Sequence, residues 1–329
     1  MGTYASVSVP RSERDRLDEY RRACQSILKD LENRLSIYDP ESEISRLNAA
    51  AGGPAVAVSP PTRRVLEMSR DCAEKSEGRF DVTVAPLVEL WGFHGGELTS
   101  PPDGRAISNA LELVGYRGLR LSDNGARLEL AGMRVDLGGI AKGFAVDRCF
   151  EELRRMGARN VMVNLGGNLR CGGCARPGKP WRIGVRDPFD RTRIAGRLHL
   201  TGGMAVATSG DYERFVELDG ERYAHIIDPC TGRPVRGTAA VTVVSTNAAR
   251  ADAMSTALFV AGTDAAQSVL ARVPGCHALI IPRGRPVRML ASPGFSDFFT
   301  PAPGASVLPL PDVPPVSPDG GTPEQIPRH

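Results

Sequence analysis

The spacing of apolar positions divides the chain into helical and strand-like stretches. Residues 3–9 alternate as a short strand does. From residue 11 to 35, Leu17, Tyr20, Cys24, Ile27, Leu28, Leu31 and Leu35 recur at helical spacing with charge on the opposite face, and Pro40 ends that element. A second helix is expected over 61–77, with prolines at its start and Gly78 just past its end. "RFDVTVAPLVELWGFHGG" (79–96) starts as a strand and ends in an aromatic, glycine-rich loop, and "PPDGRAISNALELVGY" reads as a helix. Strand-like runs follow at 119–121, 127–130 and 134–137, then a helix over 141–156 closed by Gly157.

The second half is rich in hairpins. Leu218-Asp219-Gly220-Glu221 sets an Asp-Gly turn between two strands, and "NAARADAMSTALFVAG" returns to helical periodicity. Strands therefore occur as antiparallel neighbours and helices in blocks, a pattern of the α+β class and not of a doubly wound sheet. A single domain over 1–299 is expected. From 300 to 329, Pro, Gly and small polar residues dominate and predict a disordered tail with polyproline character.

Composition changes this picture little. The 329 residues are 41% hydrophobic and 24% charged, which is ordinary for a globular chain, and a net charge of +3 does not point to nucleic acid as the main partner. No run reaches the roughly 18–20 apolar residues of a membrane span. The opening "MGTYASVSVPRSERDR" turns charged too early for a leader peptide. Seven scattered cysteines do not resemble a disulfide framework. Cys171 and Cys174 form a CxxC, but in a glycine-rich turn between strands; a turn that happens to carry two thiols is the first reading and an opportunistic disulfide the second.

Three glycine-bearing loops carry the candidate chemistry. "VDLGGIAKGFAVDR" (135–148) ends a strand at Asp136, turns through Gly138 and Gly139, and opens a helix at Lys142. It fits neither standard nucleotide fingerprint, yet main-chain N–H groups at a helix start attract anions such as pyrophosphate. Taken alone, it is equally a plain strand–turn–helix connection. "NLGGN" (164–168) and "ATSGDYERF" (207–215) repeat the theme, and three such loops suit a large ligand with several functional groups. Asp252 and Thr256 stand i, i+4 on one helix face with Ser255 nearby. They are either a surface acid beside a helical threonine or two oxygen ligands for a hard cation such as Mg²⁺. His225, on a strand leading to Asp228-Pro229, is a structural histidine unless a metal-bound pyrophosphate lies beside it, where it can act as phosphate ligand or acid–base group. No serine-hydrolase elbow and no histidine-rich zinc pattern occurs.

Together the segments resemble the ApbE family of FAD:protein FMN transferases. The stretches that carry the resemblance are "MGTYASV", "LSIYDPESEISRLN", "GRFDVTVAPLVELWGF", "VDLGGIAKGFAVDR", "VNLGGNLR", "WRIGVRDP", "ATSGDYERF", "HIIDPCTGRPV" and "ADAMSTALFVAG", collinear from residue 1 to about 295. The resemblance implies an α+β fold of antiparallel sheets flanked by helices, with FAD in a cleft between two intertwined subdomains. It implies FAD contacts from Met1, Tyr38, Arg79, Phe80, Asp81, Asp136, Lys142 and Ile227, and a Mg²⁺ site of Gly139, Asp252, Ser255 and Thr256. Two departures bear on that site. Gly138-Gly139 stands where some members have Ser-Thr or Ala-Ala, so position 139 offers only a carbonyl, and Ser255 stands where some have a second acid.

The implied reaction moves FMN from FAD to a Ser or Thr hydroxyl of an acceptor protein, typically a subunit of a redox complex at the cell envelope, and releases AMP. Asp252 serves the metal, and His225 or a nearby carboxylate takes the hydroxyl proton. The resemblance also implies a periplasmic or envelope location. Because this chain opens without a recognisable leader, either one lies upstream or the protein stays in the cytoplasm. A Mg²⁺-dependent FAD pyrophosphatase and a non-catalytic FAD carrier are the alternative readings of the same pocket.

Overall fold

The computed structural model describes residues 3–96, 98–190, 192–219 and 221–311. Its centre is an eight-stranded sheet whose spatial order follows the chain: β1 (Ala5–Ser8), β2 (Val161–Leu165), β3 (Asn168–Gly172), β4 (Ala205–Gly210), β5 (Thr238–Ser245), β6 (His277–Pro282), β7 (Met289–Ala291) and β8 (Val307–Pro309). Every neighbouring pair is antiparallel except β7 and β8. β5 is buried along its whole length, and "TAAVTVVS" supplies the small and β-branched side chains that fit between two covered faces.

Alternation along β5 assigns its two faces to different cores. Val241 and Val243 join the large core with helices α1 (Leu17–Leu35), α2 (Glu43–Ala49), α3 (Pro60–Lys75) and two later helices. Ala240 and Val244 face a smaller core, closed by a three-stranded sheet of Trp181–Arg186, Ile194–Leu200 and Phe299–Pro301. A third, separate core gathers Leu87, Trp91, Phe93 and Ile107 with Leu218, Tyr223 and Ile227. It joins α4 (Ala85–Leu90) and α5 (Gly104–Leu111) to the hairpin Phe215–Leu218/Glu221–Ala224 and the short pair Ile227–Asp228/Arg233–Pro234. Helices α6 (Ala141–Arg155) and α7 (Ala248–Ala271) cross against each other in the large core. This is the α+β arrangement that the spacing predicts.

Four expectations differ from what is found. The stretch after residue 79 is not a strand: the Asp81 carboxylate accepts from Thr83 N and Tyr116 N, which folds the chain into turns, and α4 follows with Pro86 in its first turn. Residues 134–137 pair as a strand only through an isolated bridge from Arg134 to Val84 with Asp136 N donating to Val82 O, while the Asn48 side chain takes both main-chain groups of Val135. α7 runs past the expected end through Gly262, whose φ of 62° kinks it. The tail does not begin at 300, because Phe299–Pro301 and β8 are paired strands and Leu310 is buried; apolar side chains and an edge position accommodate the prolines there. The remainder of the expected tail, 312–329, lies outside the described residues.

Candidate active site

The opening turns of α6 and α7 meet where the candidate residues cluster. Gly143 makes the approach possible: a Cβ there would lie 2.2 Å from the Ala248 carbonyl oxygen. With glycine in place, Gly143 N donates to Asp252 Oδ2 at 2.9 Å. The other carboxylate oxygen, Oδ1, faces Lys142 Nζ at 3.7 Å, while that ammonium also donates to Gly138 O at 2.8 Å. Gly139 packs between Phe80 and Thr256; an added Cβ would lie 3.1 Å from Phe80 Cε2 and 3.4 Å from Thr256 Oγ1. Gly139 thus lets main chain pass close to the Thr256 hydroxyl, while Gly138 lies against the Asp136 carboxylate.

The start of α7 is itself fixed from α6. Buried Asp147 accepts from Ala248 N and Ala249 N, both at 2.9 Å, and pairs with Arg170 Nη1 at 2.8 Å. Burial raises the Asp147 pKa against those stabilising contacts. Asn247 completes the cap by accepting from Arg250 N.

Oxygen chemistry dominates this corner. The Asp252 carboxylate, the Thr256 hydroxyl and the adjacent main chain at Gly139 are hard donors of the type Mg²⁺ takes. Among the described residues no three His, Cys, Asp or Glu side chains gather as a metal cluster, so a cation here would draw on hydroxyl and main-chain oxygens and on the ligand's own phosphates. The residues fit such an ion: Asp252 keeps one oxygen free of main-chain bonds, and that oxygen already faces a positive charge. Ser255 is placed differently. Fully buried, its hydroxyl donates to Asp252 O at 2.8 Å and pairs with Ser209 Oγ at 2.8 Å. Ser209 also reaches Thr256 Oγ1 at 3.3 Å.

Asp136 forms the next part of the wall. Its Oδ1 accepts from Gly138 N at 2.7 Å and its Oδ2 pairs with His94 Nε2 at 2.8 Å. Burial would raise this carboxyl's pKa, but His94, the Gly138 N–H and the Lys142 charge hold it below the ordinary value. Tyr38, 68% exposed, stands edge-on to His94 with ring centroids 6.2 Å apart. An exposed ring beside a polar cluster is a ready stacking surface.

His225 lies in the bend between two short strands and not on a strand. Its Nδ1 is 3.1 Å from Arg214 O. A carbonyl only accepts, so Nδ1 carries the proton and Nε2 keeps its lone pair. Burial, helped by the charges of Arg214 and Lys142, lowers this pKa to about 4 against the Arg214 carbonyl bond and the Asp136 charge, so His225, Lys142 and Asp136 share one electrostatic neighbourhood.

The other expected FAD contacts hold the framework. Phe80 is buried against Gly139. Asp81 spends both oxygens on Thr83 and Tyr116, and its burial raises its pKa. Arg79 bonds to Glu77 and to Ser76 O. Ile227 sits in the third core, and Met1 lies outside the described residues. His94, Ser209 and Asp147 are additions to the expected set. His94 and Asp136 are 42 positions apart, and nothing in their local sequence joins them. Ser209 lies in the "ATSGDYERF" stretch, whose first four residues belong to β4 and not to the expected loop, and position alone does not separate it from Thr208.

Comparison with known proteins identifies the family of the chain. The ApbE family pattern matches residues 1–280, and the chain belongs to the ApbE family. A Vibrio cholerae relative named FAD:protein FMN transferase is 36% identical over 247 residues, 74% of this chain and 73% of its own length. A Klebsiella pneumoniae relative of the same name is 31% identical over 304 residues, 91% of this chain and 87% of its own. Among solved structures, the flavin transferase ApbE from Vibrio cholerae superposes with a TM-score of 0.80 at 32% identity, covering 91% of this chain and 96% of that one. The ApbE protein from Thermotoga maritima gives 0.78 at 33% identity, covering 90% and 99%.

Proposed function

We propose that this chain is an enzyme that transfers FMN from FAD to a Ser or Thr hydroxyl of an acceptor protein and releases AMP, with Mg²⁺ as cofactor. The observation that carries this reading is the meeting of the Gly138-Gly139 loop with Asp252 and Thr256, in the same neighbourhood as a neutral histidine. Family membership supports the substrate, since relatives with the enzyme's name match most of this chain.

In this reading Tyr38, Asp136 and His94 hold the flavin nucleotide. Lys142, with the positive end of the α6 dipole, neutralises the pyrophosphate. Asp252, Thr256 and the Gly139 carbonyl would hold Mg²⁺, with Ser255 supporting Asp252 and Thr256 through Ser209. When bound, the ion supplies charge neutralisation on the bridging and leaving oxygens. The acceptor hydroxyl attacks the phosphorus on the FMN side, the P–O–P bond breaks, and AMP leaves. His225 takes the hydroxyl proton at Nε2, which is unprotonated at neutral pH because burial holds the ring neutral.

The acceptor is proposed as a redox-complex subunit with a Thr or Ser flavinylation motif, and the site of action as the periplasm or cell envelope. No helix among the described residues is long and apolar enough to cross a membrane. Incubation with FAD, Mg²⁺ and an acceptor carrying the threonine motif tests the proposal. A fluorescent acceptor band with stoichiometric AMP is expected. Free FMN and AMP without labelled acceptor would make the chain an FAD pyrophosphatase, and FAD binding without either product would make it a carrier.

A further inference from the structure

Away from the candidate site, α1 and α6 enclose a cavity of about 390 Å³ against β1 and β2. Its walls are apolar, with Val7, Leu28, Ala145 and Val163 among them, and it reaches the surface beside exposed Arg21 and Gln25. Cys24 of α1 and Cys149 of α6 both line it. Both are buried and unbridged. The Cys149 thiol donates to the Cys24 carbonyl oxygen, with Sγ 3.8 Å from that oxygen, so the two cysteines are direct neighbours across the helices. Two neighbouring cysteines from different helices, opening into one cavity, are placed as a nucleophile and its resolving partner.

We propose that Cys24 and Cys149 form a dithiol site that small hydroperoxides oxidise to a disulfide, tying α1 to α6. Cys24 is 5% exposed and Cys149 0%, so an oxidant entering the cavity meets Cys24 first and Cys24 is the attacking thiol. Cys149, hydrogen-bonded to Cys24 and buried, is held above the ordinary thiol value and stays protonated until the second step. First, Cys24 Sγ attacks the terminal peroxide oxygen. The O–O bond breaks, the alcohol or water leaves with a proton, and Cys24 becomes a sulfenic acid. Next, Cys149 Sγ attacks the Cys24 sulfur, the S–O bond breaks, and water leaves. Two thiols lose two electrons in all, and the hydroperoxide gains them. The apolar cavity favours a small uncharged oxidant over a charged disulfide such as oxidised glutathione.

Exposed Cys230 provides an internal control, because it reacts without help from the fold. The native full-length chain is treated with hydrogen peroxide, its remaining thiols are alkylated in denaturant, and the non-reduced digest is read by mass spectrometry. A linked peptide pair containing Cys24 and Cys149, lost on reduction, is expected. With Cys149→Ser, Cys24 should instead be trapped by dimedone, and with Cys24→Ser, Cys149 should remain a free thiol. Cys24 and Cys149 both recovered as alkylated thiols, from wild-type samples in which Cys230 is oxidised, would overturn the proposal.

Discussion

The amide of Gly143 donates to Asp252 Oδ2 at 2.9 Å across the crossing of α6 and α7. Position 143 therefore does two things at once: its missing side chain sets the spacing of the helices, and its N–H orients the carboxylate. Gly143→Ala would drive a Cβ to within 2.2 Å of a main-chain oxygen that cannot rotate away. The helices must separate, at a cost of about 1–3 kcal/mol or more, and Asp252 loses its orienting bond. Urea denaturation should give a lower midpoint, and flavin transfer should fall further than the loss of folded protein explains.

Asp252→Asn separates orientation from charge. The amide oxygen can still accept from Gly143 N, so stability should change by less than about 1 kcal/mol. The oxygen facing Lys142 loses its charge, however, and with it the anionic ligand proposed for Mg²⁺. Transfer should drop by roughly a hundredfold or more, as removal of several kcal/mol of charge stabilisation requires. A Mg²⁺ titration of EDTA-treated protein should show the variant needing far more metal than wild type. An unchanged metal requirement would remove Asp252 from the site.

The sequence made some of this legible and hid the rest for physical reasons. Asp252 and Thr256 share a helix face because four residues make about one turn, so their pairing was readable from spacing. The glycine loop was readable because few residues other than glycine tolerate such close main-chain contact. Ser209 was not, since its role depends on which residues of β4 lie opposite α7. His94 was hidden for the same reason: its bond to Asp136 is made by tertiary packing and leaves no periodic trace. "RFDVTV" misled because its alternation is that of a strand, while the Asp81 side chain captures the amides a strand would have paired.

Asp147 is the positioning residue whose loss should be most visible in stability. Asp147→Ala leaves two amides of α7 without their acceptor and removes the partner of largely buried Arg170. Breaking a pair of this kind costs about 3–5 kcal/mol. Arg170 retains its stacking on Phe150, 4.6 Å from the ring centroid, so Arg170→Met should cost less. In thermal or urea melts the double variant should be more stable than the sum of the two losses predicts, because neither charge is then left alone.

His225 gives the pH signature. Its folded pKa of about 4 lies below the ordinary 6.5, because burial disfavours the cation. Above about pH 6.5 the ring is neutral in both folded and unfolded chains and contributes no pH dependence. As pH falls from 6.5 towards 4, the unfolded chain binds a proton that the folded chain refuses, so stability is lost across that window. The ring keeps some solvent contact, which brings the loss to about 2 kcal/mol. His225→Gln should flatten this part of the stability–pH curve, measured by urea midpoints at successive pH values. If His225 is also the base, wild-type transfer should hold its rate down to about pH 5 and decline as the imidazole protonates near 4. The glutamine variant should then be slow at every pH while still binding FAD, and a variant as fast as wild type would assign the proton to another group.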